Sequence, residues 1–150
     1  MASKYGKGLK TAFTTLEANQ GYLANLERLK AEGSLPNDQY ATMKDEYNRR
    51  IPPAESEIKA IKNTIERDLD VAKKELGMVK KELDTLSTRT QVGEIPLEKF
   101  KGMDTKLRRK IAQIENDISE YENLLKAKCA ADIWQVSAGK SGSGYNAPGF

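Results

Sequence analysis

The sequence predicts an all-α protein built of elongated, antiparallel coiled-coil hairpins, and three observations lead to this fold class. Charged residues make up 31% of the chain and aromatic residues only 7%, a composition typical of long helices rather than of a thick globular core. Apolar residues recur every three or four positions over long stretches, which is the spacing of one helix face. A helix–turn–helix pattern is present twice, with a period of about sixty residues.

The repeat is clearest at its two turns, residues 33–36 (Gly-Ser-Leu-Pro) and 93–96 (Gly-Glu-Ile-Pro). Glycine ends a helix at low cost because it adopts the left-handed conformation, and proline begins one because the first helical N–H needs no partner. Turns this short make neighbouring helices antiparallel. Beyond the turns the two copies share the pairs Met43/Met103, Arg49/Arg109, Ile51/Ile111, Glu55/Glu115 and Ile58/Ile118.

The apolar spacing predicts one domain of helical repeats over residues 9–136. Residues 1–8 contain two glycines and few apolar side chains, so we expect a loose lead-in there. Residues 137–150 are rich in Gly and Ser, and such a segment is expected to be a disordered tail because it cannot bury enough apolar surface. The expected helices cover about residues 9–32, 37–90 and 97–135.

Pro52-Pro53 interrupts the second predicted helix. A proline inside a helix removes one hydrogen bond and clashes with the preceding turn. Two interpretations are open: a sharp kink in one long helix, or a break with a new helix that begins at Pro53. The apolar spacing keeps its phase across the prolines, and this favours the kink.

Composition predicts a cytoplasmic protein. No apolar run approaches 18 residues, so no transmembrane helix is expected, and Met1 to Gln20 has no continuous apolar core of a secretory signal. The single Cys129 cannot form a disulfide within the chain, which fits a reducing compartment. The net charge of +3 is too small to indicate a nucleic-acid-binding protein.

The residues that most enzymes require are missing, so we predict a protein that is not an enzyme and has no cofactor, metal site or catalytic residue. The chain has no histidine, the commonest general base and metal ligand. One cysteine is too few for a zinc site of the Cys/His kind. Gly139-Lys140-Ser141 resembles the end of a phosphate-binding loop, but Trp134 stands where that motif needs a glycine.

Basic residues are the candidate contacts for an anion or an acidic partner, because lysine and arginine can bind the phosphates of nucleic acid or of anionic lipid. The competing interpretation is ordinary: the clusters pair with acids one helical turn away or across the hairpin, and the N-terminal lysines flank a stripe that packs within the domain. The candidates are Arg49, Arg50, Lys106, Arg108, Arg109, Lys110, Lys4, Lys7 and Lys10.

The function that this pattern favours is a scaffold that associates with itself or with another helical protein. A thin bundle leaves apolar seam residues partly uncovered, and self-association would cover them. Trp134, Tyr145 and Phe150 are candidate anchors for a partner, since large aromatic side chains often dominate interfaces. The alternative is a binder of anionic surfaces, with a membrane surface favoured over nucleic acid.

A resemblance to a known family adds to this interpretation. Gly93-Glu-Ile-Pro96 is followed by Glu98-Lys99-Phe100 and by apolar residues spaced as Met103, Leu107 and Ile111. Over about residues 9–130 the pattern resembles the helical-hairpin coiled coil of the archaeal cell-division proteins that recruit ESCRT-III-like filaments to the membrane (CdvA-like coiled coils). The resemblance implies a role in assembly, in cell division or near a membrane, and implies no catalysis.

Overall fold

The computed structural model describes residues 2–133, and within this range the chain is all-helical with three long helices. They are α1 (Ala2–Ala31), α2 (Asn37–Gln91) and α3 (Leu97–Lys126). Residues 130–133 are helical again after a short interruption. The prediction of an all-α chain with three long helices is therefore confirmed, and the predicted bounds of α2 are correct to within one residue.

The predicted turns end α1 and α2 in the same way. Gly33 has φ of 73° and Gly93 has φ of 91°, the left-handed region that favours glycine. The N–H of Gly33 donates to the Lys30 carbonyl at 3.1 Å, and the next N–H donates to the Leu29 carbonyl at 3.1 Å. Gly93 and its successor repeat this pair of bonds, which is the Schellman motif that satisfies the last carbonyls of a helix.

Each turn leads directly into the next helix. The carbonyls of Pro36 and Pro96 accept the first helical hydrogen bonds, from the N–H groups of Tyr40 and Phe100, both at 3.0 Å. Each proline thus precedes the first helical residue, where its missing N–H removes no helical bond. The carboxylates of Asp38 and Glu98 lie in the first turns, where they face the positive end of the helix dipole.

Helix α2 continues through Pro52 and Pro53 without interruption. The alternative of a new helix beginning at Pro53 is therefore wrong. Both prolines are exposed, as are Asn48 and Arg49, the residues whose carbonyls the prolines leave without a helical partner. The kink at this position stays a prediction.

Helix α1 begins at Ala2, so the predicted start of this helix at about residue 9 is wrong, while the looseness of residues 1–8 stays a prediction. Gly6 is buried and Leu9 is fully buried, so this part of α1 is packed within unit 1. A Cβ on Gly8 would lie 3.1 Å from the Ile61 side chain. The absence of a side chain at Gly8 lets α1 approach α2 closely, and this packing offsets the helix-weakening effect of glycine.

Helix α3 ends at Lys126, so the prediction that it continues to about residue 135 is wrong. A different hydrogen-bond network takes over at this point. The Lys62 ammonium donates to the Ala127 carbonyl at 2.7 Å, and the Ala130 N–H donates to the Glu17 carboxylate at 2.8 Å. Asp132 accepts the N–H of Lys128 at 2.8 Å and so supports the start of a new helical turn.

The chain divides into two compact units. Unit 1 comprises the described residues up to Thr64 together with those from Lys126 onward. Its largest fully buried side chains are those of Leu9 and Ile133, with Phe13 and Leu26 also buried. The Tyr40 hydroxyl donates to Glu27 at 2.8 Å, so α1 and the first part of α2 are also joined by a polar contact.

Unit 2 comprises Ile65–Leu125, which is the second part of α2, the turn and most of α3. Ion pairs join its two helices: Lys73 to Glu122 at 3.8 Å, and Lys80 to Glu115 at 3.6 Å. Each helix buries one apolar face against the other, because a helix with one helical neighbour can cover only one face. The buried apolar side chains are those of Ile65, Leu69, Val79, Ile114, Tyr121 and Leu124.

The left-handed conformation of Gly93 can be tested by substitution. Gly93→Ala places a Cβ at a positive φ, and we expect it to lower the free energy of unfolding by about 1–2 kcal/mol. Gly77→Ala is the matched control, because Gly77 is an exposed residue inside α2 where a Cβ meets nothing within 4 Å. The control should raise stability by about 0.5–1 kcal/mol. Urea unfolding midpoints measure both; equal shifts would contradict the proposed role of Gly93.

Candidate functional site

Unit 1 contains an open groove of about 750 Å³ between α1 and α2. Its lining is dominated by small side chains, among them Gly8, Ala12 and Ala54. Lys7, Arg49 and Arg50 also line the groove. The structure therefore brings together one of the predicted N-terminal lysines and one of the predicted arginine pairs, which are about forty residues apart in sequence.

The two arginines of the groove already have acidic neighbours. Arg49 pairs with Asp45, and Arg50 pairs with Glu46 at 3.6 Å. Both pairs join residues one helical turn apart on exposed surface, so each contributes little to stability. Glu57 also lines the groove and reduces its positive charge. An anion that binds here must compete with three carboxylates.

The second basic cluster lies on α3 in unit 2 and is only partly paired. Arg108 pairs with Asp104 at 2.9 Å, and Lys110 pairs with Glu75 of α2 at 3.9 Å. Lys106 and Arg109 are exposed and make no ion pair with any residue between 2 and 133. The interpretation that these basic residues pair with nearby acids thus holds for two of the four cations of this cluster.

The N-terminal lysines are exposed along α1. The Lys4 ammonium lies 5.0 Å from the centre of the Tyr5 ring, while Lys10 has no ion pair among the described residues. Two apolar residues of the same part of α1 are not available to a membrane, since Leu9 is fully buried and Phe13 is 5% exposed. Packing within the domain therefore uses the apolar face that a membrane-surface helix would need.

The Lys62 side chain is the most unusual cation of unit 1. Its ammonium lies 5.7 Å from the centre of the Phe13 ring and donates to the Ala127 carbonyl. Burial lowers the pKa of Lys62, although the nearby Asp132 carboxylate opposes this effect. The pKa of Asp132 is itself lowered, chiefly by the backbone N–H of Lys128. These contacts explain the position of residues 127–133.

An exposed apolar stripe lies on α2 in unit 2 and was not predicted. On α2, Val71 is 65% exposed and Met78 is 72% exposed, and Val92, also 72% exposed, is the first residue after the helix. Positions seven apart lie on the same side of a helix, and Thr85 occupies the remaining position of this series. Each of these side chains would lose apolar surface to water if another protein covered this line.

The stripe adjoins a shallow hollow of about 510 Å³, lined by Lys81, Asp84, Thr85, Thr88 and Arg89. The sequence contained a signal for the stripe, namely apolar residues at 71, 78 and 92 outside the main apolar series of α2. The series through Leu69, Leu76 and Leu83 is sufficient to predict the buried face of this helix, so the second line is not needed for that prediction.

Residues 2–133 contain no group of three Cys, Asp or Glu side chains arranged to hold a metal ion. None of the helices in the same range is long and apolar enough to span a membrane. The predicted anchors Trp134, Tyr145 and Phe150, and the predicted tail 137–150, lie outside the described residues.

Comparison of the chain with protein-family models, with curated proteins and with solved structures finds no match. The resemblance to CdvA-like coiled coils therefore stays a prediction. Any functional conclusion depends on the residues and geometry of this chain.

Proposed function

We propose that this protein is a non-enzymatic scaffold that associates with itself through its helices, or bridges helical partner proteins. The observation that carries the proposal is the exposed stripe of Val71 and Met78 on α2, which continues to Val92 directly after the helix. Burial of a Val or Met side chain is worth about 1.5–3 kcal/mol, so covering this stripe with another protein is favourable.

The proposal includes the antiparallel hairpin arrangement that the sequence predicts. The ion pairs of unit 2 support it: from Lys73 to Lys80 along α2, the partner moves from Glu122 back to Glu115 along α3. Partners in that order are expected of helices that run in opposite directions. A kink at Pro52-Pro53 would change the direction of α2 and so the geometry of a bridge between partners.

The cellular setting is a further part of the proposal. The resemblance to CdvA-like coiled coils supports a role in cell division or in assembly at a membrane, with the protein in the cytoplasm.

The test is the absolute mass of the purified full-length chain by light scattering over a range of concentrations, at low and high salt. We expect the mass to rise above that of the monomer with concentration and to remain raised at high salt, because apolar burial is little affected by screening. A Met78→Glu variant should weaken self-association about tenfold or more, since it places a charge in the apolar contact.

The matched control is Asn116→Glu, which adds the same charge at an exposed position of α3. It should associate as the unsubstituted chain does. A monomer at every concentration and at both salt levels, with no partner, would contradict the scaffold function. Equal association of the Met78→Glu variant and the unsubstituted chain would place the contact on another face.

A second candidate function is the binding of anionic surfaces. It is favoured by the unit 1 groove, which brings Lys7 close to Arg49 and Arg50.

The double substitution Arg49→Gln with Arg50→Gln should then reduce the amount of protein that sediments with vesicles containing phosphatidylserine. The difference from the unsubstituted chain should disappear at high salt. Lys106→Gln with Arg109→Gln is the charge-matched control. An equal loss of vesicle binding in both variants would indicate that net charge, rather than the groove, determines binding. The same variants are also tested with duplex DNA, which shows whether the groove binds nucleic acid instead of a membrane.

A further inference from the structure

The stripe on α2 is flanked by one basic row and one acidic row. Relative to Met78, the residues Lys74 and Lys81 are four before and three after it, and both lie on one flank. Glu75 and Glu82 are three before and four after it, and both lie on the other flank. All four are exposed, so a surface that covers the stripe meets a positive row on one side and a negative row on the other.

Three of these four charges are available to a partner molecule. Lys74, Lys81 and Glu82 make no ion pair with any described residue, whereas Glu75 lies 3.9 Å from Lys110 of α3. Seven residues earlier, Arg67 and Asp68 occupy the corresponding positions in the same order. The surface therefore carries exposed opposite charges on its two flanks over two successive heptads, at positions 74–75 and 81–82.

We infer that the stripe binds a second copy of this chain, with the two α2 helices parallel and in register about a two-fold axis that runs along them. The inference rests on the proposed scaffold function and adds the partner and its orientation. In this arrangement each stripe residue faces its own counterpart, as the core residues of a parallel coiled coil do. The two flanks exchange, so the basic row of one copy faces the acidic row of the other.

Charge selects this orientation over the antiparallel one. When the copies are parallel and in register, Lys81 lies beside the partner's Glu82, and Lys74 lies beside the partner's Glu75, with an offset of about 1.5 Å along the axis in each case. When they are antiparallel about Met78, Lys81 instead lies beside the partner's Lys74, and Glu82 beside the partner's Glu75. Four attractive pairs per dimer become four repulsive ones, and repulsive juxtaposition excludes wrong arrangements effectively.

The stripe has one large apolar residue per heptad rather than two, and Thr85 takes the place of one of these. The contact is therefore smaller than that of a permanent dimer, and its occupancy should depend on concentration. The hollow lined by Thr85 and Thr88 gives a partner side chain room to enter beside the stripe. This surface fits a scaffold that assembles reversibly.

The orientation is tested by cysteine cross-linking in the full-length chain. Cys129→Ser removes the only native thiol and keeps a hydroxyl that can donate to Asp132. Val71→Cys, Met78→Cys and Thr85→Cys are then introduced one at a time, and the disulfide-linked dimer is measured after mild oxidation. We expect all three single variants to cross-link with themselves, because every stripe position faces its own copy.

Antiparallel pairing gives a different pattern. Only the position on the two-fold axis would cross-link with itself, and Val71→Cys would cross-link with Thr85→Cys when the two variants are mixed. That result would overturn the inferred orientation and leave the scaffold function intact. Absence of all three cross-links in a chain that light scattering shows to be associated would overturn the stripe as the contact.

Charge reversal provides a second test, because the same substitution should weaken a parallel dimer and strengthen an antiparallel one. Lys81→Glu places two acids against each other in the parallel dimer and should weaken it about tenfold. It should strengthen an antiparallel dimer, where Lys81 faces Lys74. Glu82→Lys should also weaken the parallel dimer, and a mixture of the two variants should restore association as a heterodimer. A chain that is monomeric before any substitution would overturn both the inference and the proposed function.

Discussion

A helix that has one helical neighbour can remove only one face from water, and much of this structure follows from that constraint. In unit 2 the second part of α2 and α3 face each other, and Ile65, Leu69 and Val79 are buried while the opposite side of α2 is exposed. Surface charge keeps such a helix soluble, which explains why charged residues are so frequent in this chain. Against that background, Val71 and Met78 on the exposed side of α2, followed by Val92 just after the helix, form an apolar line that α3 leaves uncovered.

The turns show why part of the fold could be predicted from the sequence. Gly33 and Gly93 end their helices through bonds between residues within five positions of each other, and local signals of this kind are legible in a single sequence. The same applies to the apolar face of α2, whose spacing is set by helical geometry. The continuity of α2 through Pro52-Pro53 was one of two open alternatives, because exposure of the prolines is a property of the folded chain.

The predictions that were wrong failed because the contacts that decide them join residues far apart in the sequence. Helix α1 includes residues 2–8, where Gly8 lies against Ile61, and α3 ends at Lys126 where Glu17 and Lys62 bind the segment that follows it. These contacts join residues at least fifty positions apart, and no local pattern announces them. The groove that joins Lys7 to Arg49 and Arg50 arises in the same way. The apolar residues of the stripe can be seen in the sequence, but their exposure depends on which face of α2 is covered by α3.

The central claim is that self-association covers the stripe on α2, and the native methionines report on it directly. Met78 is 72% exposed, whereas Met43 and Met103 are half-buried and lie outside the stripe. The measurement is the rate of peroxide oxidation of each methionine, followed by mass spectrometry as the protein concentration is raised through the range where its mass increases. We predict that oxidation of Met78 slows as the chain associates, while the rates at Met43 and Met103 stay constant. A constant rate at Met78 in the associated protein would contradict the account.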